Sequence, residues 1–435
     1  MTLKEVIIIR WIAKQYTDIR AKGILEATRK VKLLLLMLLK QLAFLAFFPC
    51  AILLVICFRL MRPWLVIRLG VLLSERIGHF SLHPEIYLSG LDLGLGCPKK
   101  PFVDIWCFSD NICNQQLANM LRRKMHIWPR CFIRPVFSVS ALLPGNDIHC
   151  IPHADLNLAF RKVCISENVL GRTKSHLHFT ALEEERGFKC IEEMGLPRGS
   201  KFICFHGRDS SYLDATYPGD WSYHDYRDVD IQNYLPAVEE LTRRGYFAIR
   251  MGSKVRDKFS SSNAMVIDYA NSHHQSDFMD IFLSAKCEFF LSSGSGIFCP
   301  SLAFRRPQII VNASPFFTVL DFDSNVMFIP KKYWSISHAR DMSCQEIFDS
   351  GSYRFHLSQC YKEAGIMLIE NTSQEILEIV IEAEERYRNA WISKLEDDEL
   401  QQKFWGFAPE DLYSGSVCSR IGTAFLHNNR HLINS

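Results

Sequence analysis

The pattern of apolar and polar positions changes character along the chain. Residues 33–58 read LLLLMLLKQLAFLAFFPCAILLVICF, a nearly unbroken apolar run. From Trp64 shorter runs take over: WLVIRLGVLL, then Glu85-Ile86-Tyr87-Leu88, then Val103-Asp104-Ile105-Trp106-Cys107-Phe108. Short, branched runs of this kind build strands buried on both faces. An amphipathic stretch from Asn114 to Lys124 follows, and residues 138–180 are poorly patterned. A second, clearer series starts near residue 183. It predicts a helix over Glu183–Gly195, a turn at Pro197-Arg198-Gly199 and a strand over Lys201–Phe205. A helix from Asp230 to Arg244 ends at Gly245, as helix C-termini commonly do. Strands follow over 246–250, 266–269, 287–291 and 307–312, with a helix over 277–285 between them. Strands alternating with helices imply right-handed βαβ units and a parallel sheet. Residues 374–394 form a long charged helix, and the last forty residues are a tail.

At 435 residues the chain exceeds one comfortable core, so two domains with appendages are expected. The boundaries read as 1–62, a basic and hydrophobic segment; 63–182, a first Rossmann-like half; 183–373, a second; and 374–435, helix and tail. Charge sharpens this division. Met1 to Arg62 carries eleven Lys/Arg against Glu5, Asp18 and Glu26, a balance of +8, so the overall +3 leaves −5 for the remainder. A basic, apolar end on a mildly acidic body points to an anionic membrane surface and away from nucleic acid. The uncharged part, Leu42 to Phe58, has 17 residues, about 26 Å as a helix against a hydrocarbon core of about 30 Å. If the segment spans the membrane once, the eight Lys/Arg before it would hold the amino terminus inside and push the body outside. A helix–Pro49–helix hairpin inserted from one side, with the body on the cytoplasmic face, reconciles this with fifteen scattered cysteines that lack any C-x-x-C. A buried helix pair covering the body is the plainer alternative.

Candidate chemistry gathers at strand ends. Ser292-Ser293-Gly294-Ser295-Gly296 lies between a buried strand and a helix. Its glycines allow close backbone approach, and the amide groups at a helix start suit a diphosphate. Phe205-His206-Gly207-Arg208-Asp209 follows the first strand of the same half. Loops leaving the carboxyl ends of a parallel sheet share one crevice, so Arg208 can meet the Ser/Gly turn there, and a guanidinium matches diphosphate oxygens bidentately. His206 reads equally as a packed strand-end histidine. Arg250 and Gly252 end the next strand, and Asp268 and Tyr269 another, where they could take a nucleoside or simply pack. In the first half His79 stands at a strand-to-helix loop as a candidate base, with Glu75 and Glu85 as rival carboxylates. Asp228-Val229-Asp230 has a metal-binding spelling but sits before a helix, where Asp is an N-cap. Asp321-Phe322-Asp323 is no stronger, and no metal site or cofactor is expected.

The blocks IRLGVLLSERIGHF, PEIYL, HGRDSSYLD, WSYHDYRDVDIQNYLPAVEELTRRGYFAIRMGSKV, VIDYANS, SDFMDIFLSAKCEFFLSSGSG, RRPQIIVN and IPKK resemble bacterial glycosyltransferases of surface-polysaccharide clusters, a group with GT-B-like architecture. The His-x-Arg after a strand is similar to that of fucosyltransferases whose matching Arg contacts the donor diphosphate. The resemblance covers most of residues 64–332. It implies an α/β fold of two Rossmann-like domains facing a central cleft, with the nucleotide-sugar donor in the second half and the acceptor over the first. It further implies that catalysis needs no metal and that Ser222–Arg227 and Lys331-Lys332 lie near the cleft. The expected activity is transfer of a sugar to a cell-surface glycan or lipid-linked acceptor at the cytoplasmic face of the inner membrane. The rivals are a nucleotide-sugar epimerase or hydrolase, and a non-catalytic glycan-assembly protein.

Overall fold

In the computed structural model the described residues are 46–151, 167–216, 219–316, 325–407 and 419–433, with isolated positions between 28 and 42. The basic arm before residue 28 and Asp321-Phe322-Asp323 lie outside them. The chain divides into two compact units: residues 1–70, 98–107 and 128–151 in one, and residues 71–97, 108–127 and 152–435 in the other.

In the first unit residues 46–61 are helical straight through Pro49, so the hairpin expected there is not found. Ala51 and Val55 pack with Val136 and Val139 of the helix Arg130–Ala141, flanked by Phe48 and Phe58. That packing offsets the hydrogen bond Pro49 cannot donate. Strands β1 (Val66–Leu72) and β2 (Phe102–Phe108) are neighbours. Arg68 binds Asp104 through Nε at 2.6 Å and Nη2 at 2.8 Å. No helix among the described residues is long and apolar enough to cross a membrane.

The second unit begins with α1 (Ile77–Asp92). Glu85–Leu88, expected as a strand, is its third turn, because Leu82 and Ile86, spaced for one helix face, enter the main core. Next come α2 (Gln115–Arg122), capped by Asn114, the two-residue β3 (His126–Ile127) and α3 (Ala181–Glu193) with a Thr180/Glu183 capping box. The main sheet holds β4 (Phe202–His206), β5 (Phe247–Arg250), β6 (Val266–Ile267), β7 (Phe290–Ser292), β8 (Gln308–Ala313), β9 (Val326–Pro330) and β13 (Arg420–Ile421). Its order is β13-β9-β8-β7-β4-β5-β6 and its pairs are parallel. The chain starts at β4, winds out to β6, returns to β7 on the other side of β4 and winds out again. Strand order therefore reverses between β4 and β7, where loops part and leave room for a ligand. Strands β10 (Lys332–Ser335), β11 (Arg340–Asp341) and β12 (Ile366–Ile369) make a small antiparallel sheet.

Two expected boundaries move. Residues 71–97 and 108–127 belong to the unit of the main sheet, because the apolar face of α1 is buried in that core. Among the described residues there are thus one large Rossmann-like sheet and two three-stranded sheets, where two Rossmann-like halves were expected. The tail is not separate either. Ile379 and Val380 of α4 (Ser373–Tyr387), with Phe425 and Leu432, lie in the same core, and β13 extends the sheet.

Candidate functional site

A cavity of about 550 Å³ opens at the reversal point, and every lining residue belongs to the second unit. The cleft expected between two halves is therefore, in this structure, a cavity inside one unit. Its volume falls in the range of small-ligand sites.

Two loops build its floor. Register pairs His206 of β4 with Ser292 of β7, so the residues after each strand emerge side by side. The amide of Arg208 donates to Ser293 Oγ at 2.9 Å, which ties the loops together. Gly294, with φ +71°, turns the chain in a conformation that suits glycine. Gly294, Ser295 and Gly296 line the cavity, while Ser292 and Ser293 are buried behind it. The start of α1 meets the same turn. A Cβ on Gly78 would lie 3.0 Å from Gly296 Cα, a contact only two glycine backbones make comfortably. Arg76, Gly78 and His79 all line the cavity. The first turn of α1 holds no acidic residue, and its N-cap position is Arg76, which makes no side-chain cap. This helix start thus offers positive charge to an anion.

Cations cluster here. Arg208, Arg227, Arg76 and Lys254 line the cavity. Arg208 Nη1 donates to His224 O at 2.9 Å and to Asp228 Oδ1 at 3.1 Å. Arg227 Nη2 donates to Gly294 O. Burial and the neighbouring Arg227 pull the Arg208 guanidinium below its ordinary pKa, opposed by Asp228, and burial pushes Asp228 up to about 6. Lys331, buried, donates to Tyr226 O at 3.1 Å and Asp228 O at 2.8 Å, which pins the segment carrying Arg227. An aspartate of Asp228-Val229-Asp230 was expected to cap a helix. That role falls to Asp230, which accepts from Gln232 N at 2.9 Å, and Asp228 is committed to Arg208.

The remaining candidates separate. His79 Nδ1 is 3.2 Å from His83 Nε2 on the next turn of α1. Glu75 is not on the cavity wall. Glu85 is buried and holds Arg305 at 2.8 Å and His176 at 3.0 Å, a structural tie. His206 lines the cavity, its Nδ1 faces Met251 O at 3.0 Å, and burial lowers its pKa to about 4, so it stays neutral. Arg250, Gly252, Asp268 and Tyr269 are not on the wall. Arg250 donates to Asp257 O at 2.6 Å and faces Asp268 at 3.5 Å. The Tyr269 hydroxyl donates to Asp280 Oδ1 at 2.8 Å. Asp280 does reach the cavity, and burial pushes it up to about 7. Residue-by-residue reading passed over Arg227 and His224. Desolvation and the charges of Arg208, Arg227 and Arg76 lower the His224 pKa to about 4, so it too is neutral on the wall. The density of Tyr, His and Arg in WSYHDYR was the available signal. No group of three or more His, Cys, Asp or Glu suited to a metal occurs among the described residues.

No protein-family model and no curated protein matches the chain. Solved structures resemble it weakly. A family 9 glycosyl transferase from Veillonella parvula DSM 2008 has 10% identity and a TM-score of 0.37, over 61% of this chain and 86% of that one. The ADP-heptose lipopolysaccharide heptosyltransferase II of E. coli has 13% identity and a TM-score of 0.38, over 60% and 90%. The iron-containing dodecameric glycosyltransferase TibC of enterotoxigenic E. coli H10407 has 11% identity and a TM-score of 0.29, over 58% and 61%. Likeness of this extent carries no argument about what this chain does.

Proposed function

We propose that the chain is a glycosyltransferase that moves a sugar from a nucleotide-diphosphate donor to a glycan or lipid-linked acceptor at the cytoplasmic face of a membrane. The observation that carries this reading is the meeting of Arg208 with the Gly294–Gly296 turn and the Arg76–His79 helix start at the reversal of strand order. Three backbone segments and several cations converge on a space open to solvent, an arrangement that suits two linked phosphates.

In the proposed reaction an acceptor hydroxyl attacks the anomeric carbon of the donor. A C–O bond forms to the acceptor, the bond from carbon to phosphate oxygen breaks, and the diphosphate leaves with the electron pair. Arg208, Arg227 and Arg76 meet the charge growing on that oxygen, the most productive place for fixed charge. The acceptor proton passes to an imidazole on the same wall, for which His79 is the first choice. These guanidiniums supply the electrostatic role that a metal ion serves elsewhere.

A thermal-shift screen of the protein against GDP-, UDP-, dTDP- and ADP-linked sugars tests this directly, with a CMP-linked sugar, which has a single phosphate, as the contrast. One donor in large excess should raise stability by about 3 kcal/mol, and Arg208→Ala should abolish the shift. Absence of a shift with every donor overturns the reading. Donor breakdown without acceptor would favour a hydrolase or epimerase on the same cavity.

A further inference from the structure

We infer that the first unit carries a membrane-docking plate formed by the helix 46–61 and the segment Trp128–Leu143, and that its partner is an anionic lipid surface. The inference stands on this unit alone and does not depend on sugar transfer.

The two helices lie side by side and run in the same direction. Phe47 meets Phe132 at one end, with ring centroids 5.4 Å apart, and Arg59 reaches Leu143 O at 3.4 Å at the other. Between them Ala51, Val55, Val136 and Val139 form the shared core. That core uses one side of the helix 46–61. At 100° per residue, Ile52, Leu53, Ile56, Cys57 and Leu60 fall on the opposite side, and all are exposed. Leu53 is 64% exposed and Leu60 68%. No charged residue interrupts this stripe, whereas a surface helix of a soluble domain places polar residues there. Apolar exposure continues on the neighbour with Phe132 and Leu142, and Trp64 (74%) and Trp128 are exposed at the segment ends. Contiguous apolar surface of this kind marks an interaction site, and tryptophan is the residue favoured at the headgroup level.

Charge decides what the partner is. Residues 46–70, 98–107 and 128–151 contain seven Lys/Arg against Asp104 and Asp147. Asp104 is already bound by Arg68, while Arg62, Lys99, Lys100 and Arg134 are exposed. Lys100 Nζ reaches Arg62 O at 3.5 Å, which puts two of these cations at the end of the helix that carries the stripe, where a second copy would bring like charges together. An anionic bilayer accepts both the apolar stripe and the basic residues, in the manner of helices that lie in the interface plane.

The full chain is mixed with phosphatidylcholine vesicles and with vesicles that also contain phosphatidylglycerol, and partition is read by flotation. The variant Leu53→Ser/Ile56→Ser/Leu60→Ser should lose at least about tenfold in partition on anionic vesicles. The variant Arg62→Gln/Lys99→Gln/Lys100→Gln/Arg134→Gln should lose roughly fivefold per residue, on anionic vesicles only and less at high salt. Brominated lipid should quench Trp emission, and Trp64→Phe/Trp128→Phe should remove most of that quenching. Partition of the serine variant equal to wild type overturns the proposal and assigns binding to the basic arm before residue 28. Loss of self-association without any change in partition overturns it in favour of a second copy. An unfolding temperature of the unliganded variants equal to wild type shows that they are folded, and it keeps this test separate from that of sugar transfer because no donor is used.

Discussion

Arg208 follows β4 and Arg250 ends β5, the strand beside it. Both are buried guanidiniums facing an aspartate, Asp228 in one case and Asp268 in the other. Their surroundings differ. Arg250 is capped by the carbonyl of Asp257, and Asp268 accepts from Phe259 N and Asn271 Nδ2, so the loop of residues 257–259 closes over the pair. Arg208 lines a cavity shared with Gly294–Gly296. Strand β4 stands where the order reverses and the following loops part, whereas β5 lies within one wing of the sheet. The same two residue types serve as a structural pair in one place and as a candidate anion site in the next.

The sharpest way to break this comparison is to remove each guanidinium. Arg250→Ala should lower unfolding free energy by about 4 kcal/mol, because it strands the facing carboxylate, and urea denaturation would read it. A loss below about 1 kcal/mol would mean the pair is not sealed. Arg208→Ala should reduce turnover by about a hundredfold, roughly 3 kcal/mol at the transition state, while the protein stays folded. Wild-type turnover in that folded variant would remove Arg208 from the site. Tyr269→Phe deletes the hydroxyl that serves Asp280 and should cost about 1–2 kcal/mol of stability with donor affinity unchanged. A weakened donor affinity there would show that Asp280, on the cavity wall, takes part in donor binding.

The smallest effect concerns pH. The folded-state pKa of Asp228, about 6, stands above the ordinary 3.8, so the folded state binds its proton more tightly than the unfolded chain does. Stability from this group is therefore present at low pH and falls as pH rises from about 4 to about 6. Asp228→Asn lacks that loss, so its stability relative to wild type should improve by about 1 kcal/mol across this window, allowing for partial solvent screening. A difference that is flat with pH would show that Arg208 fully compensates the buried carboxylate.

Much of the second unit was legible in the residues. Lys201–Phe205, Tyr246–Arg250 and Pro307–Asn312 were read within a residue or two of β4, β5 and β8, because strands buried on both faces are apolar throughout. Arg208 and the Ser/Gly turn could be joined in advance, since parallel strands deliver their following loops to one edge. Glu85–Leu88 misled because a short apolar run fits either period, and only the burial of Leu82 and Ile86 together marks it as helix. Ser222–Arg227 was placed near the cleft by resemblance alone, and the individual roles of Arg227 and Asp228 depend on Lys331, more than a hundred residues away, holding their segment in place.

By itself, then, the sequence determined five of the seven strands of the main sheet, its parallel sense, the basic and apolar character of the amino-terminal part, and the pairing of Arg208 with a glycine-rich turn. Those follow from local periodicity and from the direction of the strands. The tertiary structure alone decided that Arg250, Asp268 and Tyr269 are enclosed, that Gly78 of α1 packs against Gly296, that the tail completes the sheet, and that the outer stripe of the helix 46–61 is exposed among the described residues. Each of these depends on which segments lie side by side, and strand order and helix packing are set by contacts between residues far apart in the chain, which no local pattern encodes.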